Sequence, residues 1–161
     1  MAYYNIVKKE PKKARAHGFD LISFSSFDIL TADDVHVAVA HAKKGRIIYL
    51  KAYKPDMGLI RKLKEKESCL LFDLADILIA KPGSERQKLM FSMSQSLKLC
   101  VKYGVPYIFS FVTDADDKLR MRTLKEAVAI GSLLGLTEPQ VKLGFRNVEK
   151  LLKAKEAEAE D

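Results

Sequence analysis

Short apolar runs alternate along this chain with single amphipathic stretches of helical period, and that alternation restricts the fold more than any other feature. Phe19 to Phe24 (Phe-Asp-Leu-Ile-Ser-Phe) reads as a strand, preceded by a short basic helix that Gly18 closes. Thr31 reads as the cap of a helix with Asp33 and Asp34 in its first turn, where the macrodipole favours carboxylates. Val35, Val39 and Ala42 give that helix an apolar face, and Gly45 ends it. Arg46 to Tyr53 reads as the next strand, and a cationic helix from Asp56 to Glu67 then turns Leu59, Ile60 and Leu63 inward.

Two short strands are expected at Cys69 to Phe72 and Asp76 to Ala80. Ser84 and Gln87 then stand at capping-box spacing ahead of Met90, Met93, Leu97, Cys100 and Val101, which recur every three or four residues. Gly104 closes that helix, and Val105 to Val112 reads as a buried strand. Thr123 with Glu126 opens another helix, Thr137-Glu138-Pro139-Gln140 a third, and a last one runs from Asn147 into the charged tail. Strands with Ile and Leu on both faces, separated by single helices, imply right-handed crossovers and a mainly parallel sheet of about five or six strands, counting a weak one at Tyr3 to Val7.

At 161 residues the chain has the size of one ordinary domain and buries roughly two-thirds of its unfolded surface without needing a disulfide or metal. The reading is a single α/β domain over 1–161, with a basic segment at 1–15 and a charged tail at 153–161. Its apolar runs fall far short of the roughly 20 residues that span a bilayer, and no charged-then-apolar leader is read at its start, so the expectation is a cytoplasmic protein with no membrane partner. Cys69 and Cys100 each sit in an apolar run and are expected as core thiols in a reducing compartment. Lys and Arg number 28 against 21 Asp and Glu, an excess that favours polyanions such as nucleic acid.

The motifs of the commonest enzymes on this architecture are missing: Gly-x-Ser-x-Gly, the P-loop and Gly-x-Gly-x-x-Gly do not occur. His36 and His41 lie five residues apart, which on a helix spoils joint ligation, and with His17 they read as satisfied surface or boundary histidines. Asp114, Asp116 and Asp117 follow a strand, where catalytic carboxylates often sit, but they equally describe a solvated turn. Asp73 and Asp76 read as turn or cap residues. No metal or cofactor site is expected on the chain.

Phosphate recognition has better support. Lys81-Pro82-Gly83-Ser84 leads into a helix start flanked by Lys81, Arg86 and Lys88, a setting in which phosphates are held, although Glu85 competes for the same field and a plain capped connection fits as well. Lys118, Arg120 and Arg122 precede the next helix, and Lys51 and Lys54 follow another strand, so loops after separate strands would join into one basic surface. Tyr53 or Tyr107 would stack on an unpaired base, or else lie in the core.

The second half of the chain resembles a known family. Asp76-Ile77-Leu78-Ile79, Lys102-Tyr103-Gly104-Val105-Pro106-Tyr107-Ile108, Leu119 to Val128, Gly131-Ser132-Leu133-Leu134-Gly135-Leu136 and the closing Asn147-Val148-Glu149-Lys150-Leu151-Leu152 look like protein component 3 of archaeal and eukaryotic ribonuclease P, over residues 76 to 152. The resemblance implies a TIM-like barrel, abbreviated or incomplete in so short a chain. It also implies a role in removing the 5′ leader from precursor tRNA, in which the RNA carries the chemistry with magnesium. The implied partners are the ribonuclease P RNA, precursor tRNA and a small α/β subunit, as a dimer of heterodimers. Arg122 stands where the family carries an arginine before a helix and inherits an RNA contact. Phe109-Ser110-Phe111-Val112-Thr113 replaces a smaller strand end of the family. The alternatives are a metal-dependent phosphoesterase on a related barrel, and an interaction module without RNA. As a subunit of a larger particle the chain would also expose an apolar docking patch, which the arc around Met90, Phe91 and Met93 would supply, unless those residues pack in the core.

Overall fold

A computed structural model describes residues 2–8, 15–112 and 121–159, as an α/β chain with two sheets. The larger sheet is wholly parallel, with β4 (Ile29–Ala32), β5 (Ile47–Leu50), β6 (Cys69–Asp73) and β7 (Tyr107–Ser110) side by side in that order. The smaller has β3 (Phe19–Ser23) at its centre, parallel to β1 (Tyr4–Val7) and antiparallel to β2 (Arg15–Ala16). Helices α1 (Val35–Ala40), α2 (Met57–Glu65), α3 (Leu74–Ile79), α4 (Ser84–Tyr103), α5 (Leu124–Leu133) and α6 (Glu138–Ala159) complete it. Successive strands of the larger sheet are thus linked through helices, as the hydrophobic pattern requires.

Several local expectations are corrected. Arg15–Ala16 is a strand rather than the end of a basic helix, and Gly18 turns a hairpin, its φ of 86° in the region glycine adopts without strain. Thr31 lies within β4, and the cap of α1 is Asp34, whose carboxylate accepts from Val37 N–H at 2.9 Å. The run 74–79 is helical, because Asp73 caps it by accepting from Ala75 N–H at 2.9 Å; period alone does not separate so short an apolar run from a strand. The two helices expected after Thr137 are one, α6. The cap of α4 is Gly83, with no side-chain bond from Ser84. The capping box of Thr123 and Glu126 forms as read, and Leu59, Ile60 and Leu63 are buried.

The two sheets are joined by side chains. Phe111, just past β7, presents its N–H and C=O to β1, and the Asn5 amide answers both, accepting at 2.6 Å and donating at 3.3 Å. In return Ser110 Oγ accepts from Ile6 N–H at 2.9 Å and lies 2.9 Å from both Ile6 O and Asn5 Oδ1. Asn5 and Ser110 are fully buried, so four backbone groups of the seam depend on these two side chains.

Across this seam runs one aromatic file. Phe19 of β3 lies 4.8 Å from Phe145 of α6, which lies 5.9 Å from Phe109 of β7; Phe109 in turn lies 6.1 Å from Phe72, and Phe72 stacks on Tyr53 at 5.5 Å. Helix α6 approaches closely because Gly144 faces the Phe109 ring, where a Cβ would meet Cε2 at 3.1 Å. Cys69 and Cys100 are buried free thiols, and burial pushes each up to about 12.

Replacing Asn5 by Ala leaves Phe111 N–H and C=O buried without partners, at about 1–3 kcal/mol each. We expect the denaturant midpoint to drop accordingly with an unchanged slope. A midpoint equal to the parent's would show that the seam does not hold the sheets together.

Candidate nucleic-acid interface

Ligands of open α/β sheets bind beyond the carboxyl ends of the strands, and a hydrogen-bonded cluster occupies that end of β5 and β6. Tyr53 Oη accepts from Asp73 N–H at 3.0 Å and donates to Asp76 Oδ2 at 2.6 Å, while Tyr49 Oη donates to the same Oδ2 at 3.0 Å. Asp73 Oδ1 accepts from Ala75 N–H at 2.9 Å and from Val112 N–H at 3.0 Å, so one carboxyl ties the start of α3 to the end of β7. Asp73 and Asp76 share a face because they stand three residues apart at a helix start. The sequence signal for this cluster was present, but it emerges only once 74–79 is helical.

Electrostatics make the cluster a holder of protons. Burial, followed by the charge of Asp76, pushes Asp73 up to about 7, against the hydrogen bonds from Val112, Ala75 and Tyr49 that pull it down. Burial and the same carboxyls push both tyrosines well above their ordinary value, so they remain donors. Asp73 is only 3% exposed, which keeps its carboxyl from contact with a bulky ligand. Its consequence is architectural: it fixes α3, and α3 sets where α4 begins.

Arg86 completes that connection. Its Nη2 donates to Ala80 O at 2.8 Å and its Nε to the same oxygen at 3.1 Å, with Leu78 O at 3.5 Å, so the guanidinium closes the end of α3. The sequence placed Arg86 at a phosphate; the structure commits its guanidinium to backbone carbonyls. Lys81, Ser84 and Lys88 are exposed around the start of α4. Lys51 and Lys54 are exposed beside the end of β5, with Lys51 paired to Asp33 at 2.7 Å. A shallow cleft of about 250 Å³ lies between Ala52, next to Lys51, and Ala80, Glu85 and Lys88 at the start of α4.

Arg122 is half-buried ahead of α5, with Nε 4.0 Å from Glu126 Oε1. Arg120, Lys118, Asp114, Asp116 and Asp117 lie outside the described residues. His17, His36 and His41 are exposed. Among the described residues no group of three or more His, Cys, Asp or Glu side chains is placed to hold a metal ion. Tyr53 and Tyr107 are buried, so neither offers a face to a base. On α4, Met93 is buried and Met90 half-buried, leaving Phe91 66% exposed. Among the described residues no helix is long and apolar enough to cross a membrane. The chain matches no protein-family model and no curated protein.

The raised Asp73 predicts a pH dependence of stability. Between 3.8 and about 7 the folded chain keeps a proton that the unfolded chain has released, so stability falls as pH rises through that window. Asp73→Asn keeps the Oδ1 acceptor for Ala75 and Val112 without the charge. The melting temperature followed from about pH 4 to about pH 8 should vary less for this variant than for the parent. Parallel profiles would show that Asp73 is not the group responsible.

Proposed function

We propose that this chain is an RNA-binding protein subunit of a ribonuclease P-type ribonucleoprotein, built on an abbreviated TIM-like barrel and acting in removal of the 5′ leader from precursor tRNA. The observation that carries the reading is the set of exposed cations Lys51, Lys54, Lys81 and Lys88 around the carboxyl ends of β5 and β6, the last two on a connection that Asp73 and Arg86 hold in place. Cations on fixed connections bind a phosphate backbone with little ordering cost and without reading bases. The net charge of +7 supports the same partner, and the resemblance over residues 76 to 152 supplies the particular RNA.

On this reading the chain is part of an endoribonuclease without carrying its chemistry, which belongs to the RNA and its magnesium. It acts in the cytoplasm beside a small α/β subunit, as a dimer of heterodimers. The parallel sheet and the side-chain seam to β1 support a barrel in which β1 stands next to β7. Arg122 is assigned an RNA contact alongside its Glu126 pair, and Ser84 another at the start of α4; Arg120, outside the described residues, is assigned one from the sequence alone.

The decisive experiment recovers the tagged chain from its native cells and sequences the RNA that accompanies it. Enrichment of one structured RNA, with precursor-tRNA cleavage in the eluate, is the expected result. Recovery without RNA, together with phosphatase activity lost on chelation, would replace the reading by a phosphoesterase. The site has its own test. Each phosphate contact contributes about 0.7–0.9 to the slope of log affinity against log salt, so Lys81→Ala and Lys88→Ala should each reduce the slope by about that amount. Arg86→Ala should leave the slope alone and lower stability by about 1–3 kcal/mol, because its bonds run to backbone carbonyls.

A further inference from the structure

A second basic site lies at the opposite end of the sheet. A cleft of about 450 Å³ opens at the amino ends of β4 and β5, where Phe27 and Asp28 lead into one strand and Lys43, Lys44 and Gly45 lead towards the other. Leu151, Ala154 and Lys155 of α6 form its far wall. We propose that this cleft binds the phosphate and base of an unpaired ribonucleotide, as an RNA contact separate from the rim at the carboxyl ends. The proposal rests on the RNA-binding reading for the nature of its ligand and on the cleft's own geometry for its place.

The geometry points to an anion. Among the described residues Asp28 is the one acid lining the cleft, and it is already answered: Lys43 Nζ lies 2.8 Å and Arg46 Nε 3.0 Å from its Oδ2. Those two cations hold its carboxyl below the ordinary value, so it stays ionised and paired. Lys44 and Lys155 are left as charge without a carboxylate partner among the described residues. The Lys155 ammonium reaches across to Ser26 O at 2.6 Å, which places it at the mouth and leaves two of its protons for another acceptor.

The cleft is also built to keep its shape. Lys43 O accepts from Ser68 Oγ at 2.6 Å and from Arg46 N–H at 3.1 Å, and Gly45 N–H donates to Glu67 O at 3.3 Å. Arg46 Nη1 holds His41 O at 2.8 Å. Phe27 supplies an apolar ring that is only partly buried beside these cations. A ring next to phosphate-binding cations is the pairing that unpaired nucleotides use, with stacking and charge acting together. An acidic peptide would gain the charge contacts and leave the ring idle.

The test follows backbone amides of the isotope-labelled full chain as a uridine pentanucleotide is added. The expected result is that Phe27, Asp28, Lys44 and Gly45 shift together and that the response weakens with salt. Lys44→Glu should remove those shifts and lower the salt slope by about 0.7, while any shifts near Lys81 and Lys88 persist. Lys155→Gln, which keeps a donor for Ser26 O, should reduce the same shifts, and the spectra themselves report whether either variant is folded. Shifts confined to the carboxyl-end rim would overturn this cleft and leave the RNA-binding reading standing. No shift anywhere would overturn both. An equal response of the cleft to inorganic phosphate or hexaglutamate would overturn the nucleotide assignment in favour of a general anion site.

Discussion

The two sheets of this molecule are hydrogen-bonded to each other through the pairing of Asn5 with Ser110 and Phe111. Parallel strands usually join by a backbone ladder, in which each amide finds its partner by register alone. At this seam two side chains replace the ladder, and both are fully buried. Such a joint is specific, because an amide answers one N–H and one C=O only in a single alignment. It is also vulnerable, because the exposed alternative of bonding to water is closed once the seam is buried. The aromatic file from Phe19 to Tyr53 lies across the same joint and supplies packing where the ladder is missing.

A second dependence runs from that seam outward. Val112, the residue after Phe111, donates to Asp73, and Asp73 caps α3. The end of α3 is closed by Arg86 from the first turn of α4. The positions of the exposed lysines at the carboxyl ends therefore follow from buried hydrogen bonds several residues away. Charge at the two ends of the sheet is organised in different ways. At the carboxyl ends the lysines project from helix connections, whereas at the amino ends they line a cleft in which Asp28 is already paired.

Much of the fold was legible because period and capping are local. Leu59, Ile60 and Leu63 recur at helical spacing and are buried, and Thr123 with Glu126 forms its capping box. The misreadings were also local. Asp73-Leu-Ala-Asp-Ile-Leu-Ile carries both a cap and an apolar run, and the cap prevailed. Thr31 has the composition of a cap, but pairing with Tyr49 in the β4–β5 ladder claimed it for a strand. Of the candidate site, Lys51, Lys54, Lys81 and Lys88 are exposed as expected, while Arg86 is taken up by backbone carbonyls. The lysines of the amino-end cleft were not singled out, since Lys43 and Lys155 are more than a hundred residues apart in sequence and nothing in either segment indicates the other.

The sequence by itself determined the class of fold, the burial of both cysteines, the histidines on the surface and the excess of positive charge, because each follows from composition or from spacing within one element. Only the tertiary structure decided which buried polar groups are partners. Asn5 and Phe111 stand 106 residues apart, and Tyr49 reaches Asp76 across 27. It also decided which cations remain available for a ligand, because a lysine or arginine carries the same charge in any sequence and its use depends on the acceptors that folding places beside it.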